Sequence, residues 1–226
     1  MTFRLFSLPH LAILCLVPVL GAGAALLVRG GRKREKPVRF VLGTLVAANE
    51  LTWYAYVLWH GWVILPFGLP LDLCDMVLWL TVFVLFTKRA WAFDLVYYWG
   101  FAGTTMALLT PDLGAPFASY ITVKFFLSHG VVVASLLFLS WSGCARPRPR
   151  SWWKALLWLQ VYALGIGLFN FAFHTNYFYL CTKPSSGSLL DYFGEWPWYL
   201  FWSDVIAAGL FFLLWMPFRR QYSTQS

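Results

Sequence analysis

Apolar residues fall into seven long runs along the 226-residue chain, separated by short polar or proline-bearing stretches. A helix that crosses about 30 Å of hydrocarbon needs roughly 20 mostly apolar residues, with about 17 as the lower bound. The runs at about 6–28, 38–60, 71–87, 91–109, 118–141, 153–174 and 197–217 meet that requirement. Pro70, Pro111, Pro116, Pro184 and Pro197 stand between or at the edges of the runs, where a missing N–H disturbs a helix least. The pattern predicts an all-α fold: a polytopic membrane protein, a seven-transmembrane-helix bundle, with residues 1–226 as a single transmembrane domain. The third run is the shortest and predicts a helix with little tilt, or one that begins before Pro70.

The basic residues orient this bundle. The first loop carries Arg29, Arg32, Lys33, Arg34, Lys36 and Arg39, and the third carries Lys88 and Arg89. The fifth carries Arg146, Arg148, Arg150 and Lys154, and the tail Arg219 and Arg220. These are 14 of the 17 basic residues; Arg4 and Lys183 flank the other side, and Lys124 lies within a run. Lys and Arg accumulate in short cytoplasmic loops, so the N-terminus and Ser186 are expected outside and the C-terminus in the cytoplasm. Arg4, the apolar run after it and Gly21-Ala22-Gly23-Ala24-Ala25 have the look of a secretory signal. The basic block from Arg29 to Arg39 directly behind them opposes translocation, and a retained first helix is expected.

Composition agrees. Apolar residues make up 60% of the chain and charged residues 12%, about half the ~25% usual in soluble domains, and mean hydropathy is +0.66. Aromatics reach 20%, including 14 Trp, which suits a protein with many interfacial anchors. The formal charge of +8 would also suit a nucleic-acid binder, but it is dispersed in short inter-helix clusters, the pattern of membrane topology. The expected partners are membrane lipids and no nucleic acid; the oligomeric state stays open.

Ionisable groups inside a span cost several kcal/mol unless paired or hydrated, so they are expected to face the bundle interior. The candidates are Glu50, Cys74, Asp75, Asp94, Lys124, His129, His174 and Asp204. At 1.5 Å per residue, Cys74 lies about 6 Å below the outer end of its helix, Lys124 about 8 Å and Asp204 about 10 Å, with Glu50 and His129 about 15 Å down. Asn170 and His174 share a helical face at i,i+4. Together they predict a polar cavity open to the outside. Each also has a structural reading: Asp94 as a snorkelling partner of Lys88 and Arg89, Glu50, Lys124 and Asp204 as mutually paired charges, His129 and Cys74 as ordinary core residues. Cys15, Cys74, Cys144 and Cys181 show no CxxC or metal-ligand spacing. A Cys74–Cys181 bridge at the outer face stays open.

Leu69-Pro70-Leu71-Asp72-Leu73-Cys74-Asp75 resembles the Leu-Pro-Leu-x-x-Cys-Asp element of the YwaF-like bacterial integral membrane proteins. Leu8-Pro9-His10-Leu11, Ala107-Leu108-Leu109-Thr110-Pro111-Asp112 and Phe125-Phe126-Leu127-Ser128-His129-Gly130 extend the likeness. So do Asn176-Tyr177, Lys183-Pro184, Ser188-Leu189-Leu190-Asp191 and Trp196-Pro197-Trp198-Tyr199. More distantly the chain is similar to eukaryotic transmembrane protein 164, a lipid acyltransferase working through a cysteine in a Pro-Cys-His element. Cys74 matches that cysteine and His129 a histidine two spans later; Asp75 departs from the pattern by replacing the histidine after the cysteine. The resemblance implies a bacterial cytoplasmic (inner) membrane protein and lipid acyl transfer, with Cys74 as nucleophile, His129 as base and Asp75 or Asp204 orienting its ring. Glu50, Lys124, Asn170, His174 and Asp204 would line the substrate cavity.

A cysteine attacks an acyl ester as thiolate, and the thioester is resolved by a second acceptor, so no cofactor is expected. A site facing the outer leaflet is out of reach of acyl-CoA, which leaves another membrane lipid as donor. The rival reading is a transporter or small-molecule-binding membrane protein using Glu50, Lys124, His129 and Asp204. A zinc hydrolase using His129, His174 and an Asp is disfavoured because the last run contributes no histidine, leaving two well-placed His ligands where a catalytic site needs three protein ligands, so no metal is expected. A retinal-type receptor is disfavoured because the last run has no lysine for a Schiff base.

Overall fold

Each of the seven apolar runs is helical in the computed structural model, which describes residues 4–62, 64–111, 113, 116–184 and 189–223. The elements are α1 (Leu8–Arg29), α2 (Glu35–Trp59), α3 (Leu73–Thr87), α4 (Ala90–Trp99), α5 (Thr105–Leu109), α6 (Tyr120–Trp141), α7 (Ser151–Phe173) and α8 (Trp198–Ser223). A π-helical turn at Gly100–Thr104 joins α4 to α5 in one rod. No strand occurs among the described residues. Among the described residues four helices are long and apolar enough to cross a membrane: α1, α6, α7 and Trp198–Arg219 of α8; α3 is a shorter apolar helix. Ser186 and Asp112 lie outside the described residues.

Local chemistry explains the helix ends. Ser119 caps α6, its Oγ accepting from Thr122 N at 3.3 Å. Asp72 precedes α3 in extended conformation, and its N–H donates to Asp75 Oδ2 at 3.3 Å. Lys88 (φ 57°) ends α3 in the left-handed conformation that commonly terminates helices, as His174 (φ 53°) ends α7.

The main core lies where α3, α4, α6 and α7 meet, around Leu85, Tyr98, Leu136, Leu139 and Ala155. Its density needs a glycine: a Cβ on Gly100 would lie 2.4 Å from Leu136 Cδ1. On its other side α6 packs along α1, where a Cβ on Gly21 would lie 2.7 Å from Leu137 Cβ and 3.0 Å from the Ala134 carbonyl oxygen. Small residues at such crossings let backbones approach closely in apolar surroundings.

Polar contacts sort the loops onto two ends. At the basic end, Lys88 Nζ meets Glu35 Oε1 at 2.5 Å, Arg39 donates to the Leu85 carbonyl at 2.5 Å, and Arg29 donates to the Trp141 carbonyl. At the other end, Tyr177 Oη donates to Pro66 O at 2.6 Å and accepts from Leu69 N at 2.8 Å, while His10 Nε2 reaches Leu108 O at 2.9 Å. One expected partnership is corrected here. Asp94 is buried and binds Arg148, accepting from its backbone N at 2.9 Å and its Nε at 2.6 Å, rather than snorkelling to Lys88 and Arg89. The cause is rotational: Asp94 shares the inward face of α4 with Tyr97 and Tyr98 and meets the chain before α7, while Lys88 turns to Glu35.

Candidate functional site

Cys74 sits in the first turn of α3, at the end of the bundle opposite the basic loops. It heads the i, i+4, i+7 stripe completed by Leu78 and Thr81, both buried against the core. Cys74 is exposed. The charges acting on it are those of Asp75, Asp72 and Lys124. All four cysteines are free thiols, Cys74 and Cys181 included.

The turn carrying Cys74 is held from several sides. Asp72 Oδ1 accepts from Phe178 N at 2.8 Å, and Tyr162 Oη donates to Leu71 O at 2.7 Å. Tyr177 ties down Pro66 and Leu69, and Asn170 in turn holds Tyr177. The Asn170 amide donates to Tyr177 O at 2.9 Å, and its oxygen accepts from Thr175 Oγ1 at 2.8 Å and Tyr177 N at 3.0 Å. Asn170 is therefore a loop organiser with its polar capacity largely occupied. The π turn lies close by, since a Cβ on Gly103 would lie 3.8 Å from Leu73 Cδ2; such turns recur at functional sites.

A buried ion pair joins α2 to α6. Glu50 is fully buried, and Lys124 Nζ lies 2.9 Å from its Oε2 and 5.1 Å from the Trp53 ring centroid. The Tyr54 hydroxyl, which accepts from Trp79 Nε1 at 3.0 Å, also interacts with Glu50. One turn away Asn49 Nδ2 donates to Ser128 Oγ at 2.7 Å. The Glu50 charge also acts on Asp75, which links the pair electrostatically to the cysteine turn.

His129 lies on α6, half-buried and stacked on Phe125 with ring centroids 4.1 Å apart. Its Nδ1 lies 2.9 Å from Phe125 O, and because a carbonyl only accepts, Nδ1 carries the proton. Nε2 is then the basic nitrogen. The Lys124 charge acts on His129 as it does on Cys74, so Lys124 is the group common to both.

The other expected residues stand apart. Asp204 is exposed on α8 and accepts from Gln160 Nε2 at 3.0 Å, across the α7–α8 contact. His174 is exposed at the end of α7. Among the described residues no three His, Cys, Asp or Glu side chains gather where a metal ion would need them. Sequence reasoning passed over Tyr54, Asn49, Ser128 and Tyr162. An i,i+4 reading from Glu50 to Tyr54 would have found the first.

A family model for the TMEM164 family matches residues 5–215. The chain belongs to the TMEM164 family. With its apolar helices, this makes it a multi-pass membrane protein. No curated protein and no solved structure matches the chain.

Proposed function

We propose that this TMEM164-family protein is a cysteine-dependent lipid acyltransferase that moves an acyl chain between two membrane lipids. The observation that carries the reading is the free, exposed Cys74 at the head of α3, within the fields of Lys124 and Asp75. In this reading the chain crosses the membrane seven times, with its N-terminus outside and its C-terminus in the cytoplasm, as the basic loops favour. The site then opens to the outer leaflet of a bacterial inner membrane, in keeping with the likeness to YwaF-like proteins.

His129 Nε2 takes the thiol proton as the sulfur attacks the ester carbonyl of the donor lipid. The ester C–O bond breaks, the lyso-lipid oxygen leaves with the proton held on His129, and the acyl group stays on Cys74 as a thioester. The acceptor hydroxyl then attacks, His129 takes its proton, and that proton returns to the departing sulfur. Lys124 stabilises negative charge at the sulfur, whereas Asp75 opposes it; the bond from Asp72 N spends part of Asp75's charge on the helix end. Comparing the lipids of cells that express the wild type with those of cells that express Cys74→Ala tests the reading. Acyl redistribution should occur only with the wild type.

The second reading, a transporter or small-molecule-binding protein, is favoured by one observation. Glu50 is a fully buried carboxylate paired with Lys124 inside the bundle, and intramembrane ionisable groups of this kind mark ion, proton or substrate pathways. Substrate uptake that survives Cys74→Ala and fails in Glu50→Gln would decide for it.

A further inference from the structure

A cavity of about 630 Å³ is lined from α3, α4, α7 and the chain before α7, and by no residue of α2 or α6, which hold the Glu50–Lys124 pair. Its floor is α4, and its walls are α3 and α7, which both pack on α4 and leave a trough between them. One wall is a continuous face of α7 that includes Lys154, Trp158, Tyr162, Gly165 and Ile166, opposite Met76 and Leu80 of α3. Trp99 on the floor fixes the α7 wall, its Nε1 donating to Ala155 O at 3.0 Å. Tyr162 closes the trough toward Leu71 through its 2.7 Å hydrogen bond.

The two ends differ. At the basic end stand Arg148 and Lys154, both acting on Asp94, so that the three groups carry one net positive charge. Lys154 is exposed, with Nζ 5.7 Å from the Trp153 ring centroid. Trp91 and Trp158 flank the trough with about half of their surface exposed. From Lys154 to Ile166 the wall runs about 18 Å along the helix axis, close to the ~15 Å depth of one leaflet's hydrocarbon. Gly165 keeps the wall concave, since a Cβ there would meet nothing within 4 Å.

We propose that this trough seats one anionic phospholipid from the leaflet at the basic end, its phosphate at Lys154 and an acyl chain along α4 toward Tyr162. An apolar channel one leaflet long with a cation at its water end is complementary to that molecule. The seated lipid's ester groups lie at the basic end, opposite Leu71 and Cys74, so it is a resident lipid and not the acyl donor. The site stands whether or not Cys74 performs acyl transfer.

The test is native mass spectrometry of the detergent-purified full chain, titrated after delipidation with palmitoyl-oleoyl phosphatidylglycerol or with phosphatidylcholine of the same chains. The wild type should retain one phosphatidylglycerol in preference to phosphatidylcholine. Lys154→Gln should reduce that preference about fivefold, the worth of one lysine at an anionic surface. Gly165→Phe, which fills the trough from a position with open space, should abolish retention of both lipids, and Cys74→Ser should leave retention unchanged. Equal binding of the two lipids by the wild type, or full retention by Gly165→Phe, would overturn the proposal.

Discussion

Lys124 on α6 and Glu50 on α2 form an ion pair, Nζ to Oε2 2.9 Å, in which the carboxylate is fully buried. Removing one partner of such a pair leaves an uncompensated charge, which typically costs about 3–5 kcal/mol. Lys124→Met should therefore lower stability by roughly that amount, measured by thermal unfolding in detergent. In a Glu50→Gln background the same substitution should cost much less. An equal cost in both backgrounds would show that the two charges are not coupled.

At the basic end, Glu35 gathers Lys88 at 2.5 Å, Arg39 at 3.4 Å and Arg32 at 3.9 Å. The hydrogen bond from Lys88 holds its carboxyl below the ordinary value of 4.5, against the opposing effect of burial. A group whose folded pKa is depressed contributes stability above its unfolded pKa and loses it as pH falls through the folded value. Glu35→Gln should thus be less stable than the wild type near neutral pH. The gap between their melting temperatures should close on acidification below about pH 4. A gap that widens on acidification would contradict the assignment.

The α1–α6 crossing predicts contrasting glycine substitutions. Gly21→Val drives side-chain atoms into Leu137 and the Ala134 carbonyl and should cost about 1–3 kcal/mol. Gly23→Ala, two residues on with nothing within 4 Å, should be neutral or slightly stabilising. Melting temperatures of the two variants measure the difference.

Cysteine substitution in a cysteine-free background, with an impermeant thiol reagent, tests the orientation. Positions 32 and 148 should stay unlabelled from outside intact cells and position 186 should react. Labelling of position 32 from outside would reverse the topology.

The seven long helical segments were legible in the hydrophobic pattern, because length and apolar content belong to each segment alone. The run at 153–174 and α7 (Ser151–Phe173) agree within two residues at each end. Lateral pairing was less legible, because it depends on how helices rotate against one another. Asp94 was matched to its chain neighbours Lys88 and Arg89, while its partner Arg148 lies 54 positions away. Glu35 drew no notice among the first loop's cations, although it holds three of them. Depth alone grouped Asp204 with Glu50 and Lys124, but depth does not fix azimuth, and Asp204 faces Gln160.

The central claim concerns the sulfur of Cys74. The purified protein, incubated with a phospholipid bearing a clickable acyl chain, should carry that chain on Cys74 by peptide mass spectrometry, in a bond cleaved by neutral hydroxylamine. His129→Ala should slow its formation by about 10²–10⁴-fold, the usual worth of general-base assistance, and Cys74→Ser should abolish lipid turnover while leaving the melting temperature unchanged. No acyl adduct on Cys74 across diverse phospholipid donors, or turnover retained in Cys74→Ser, would contradict the account.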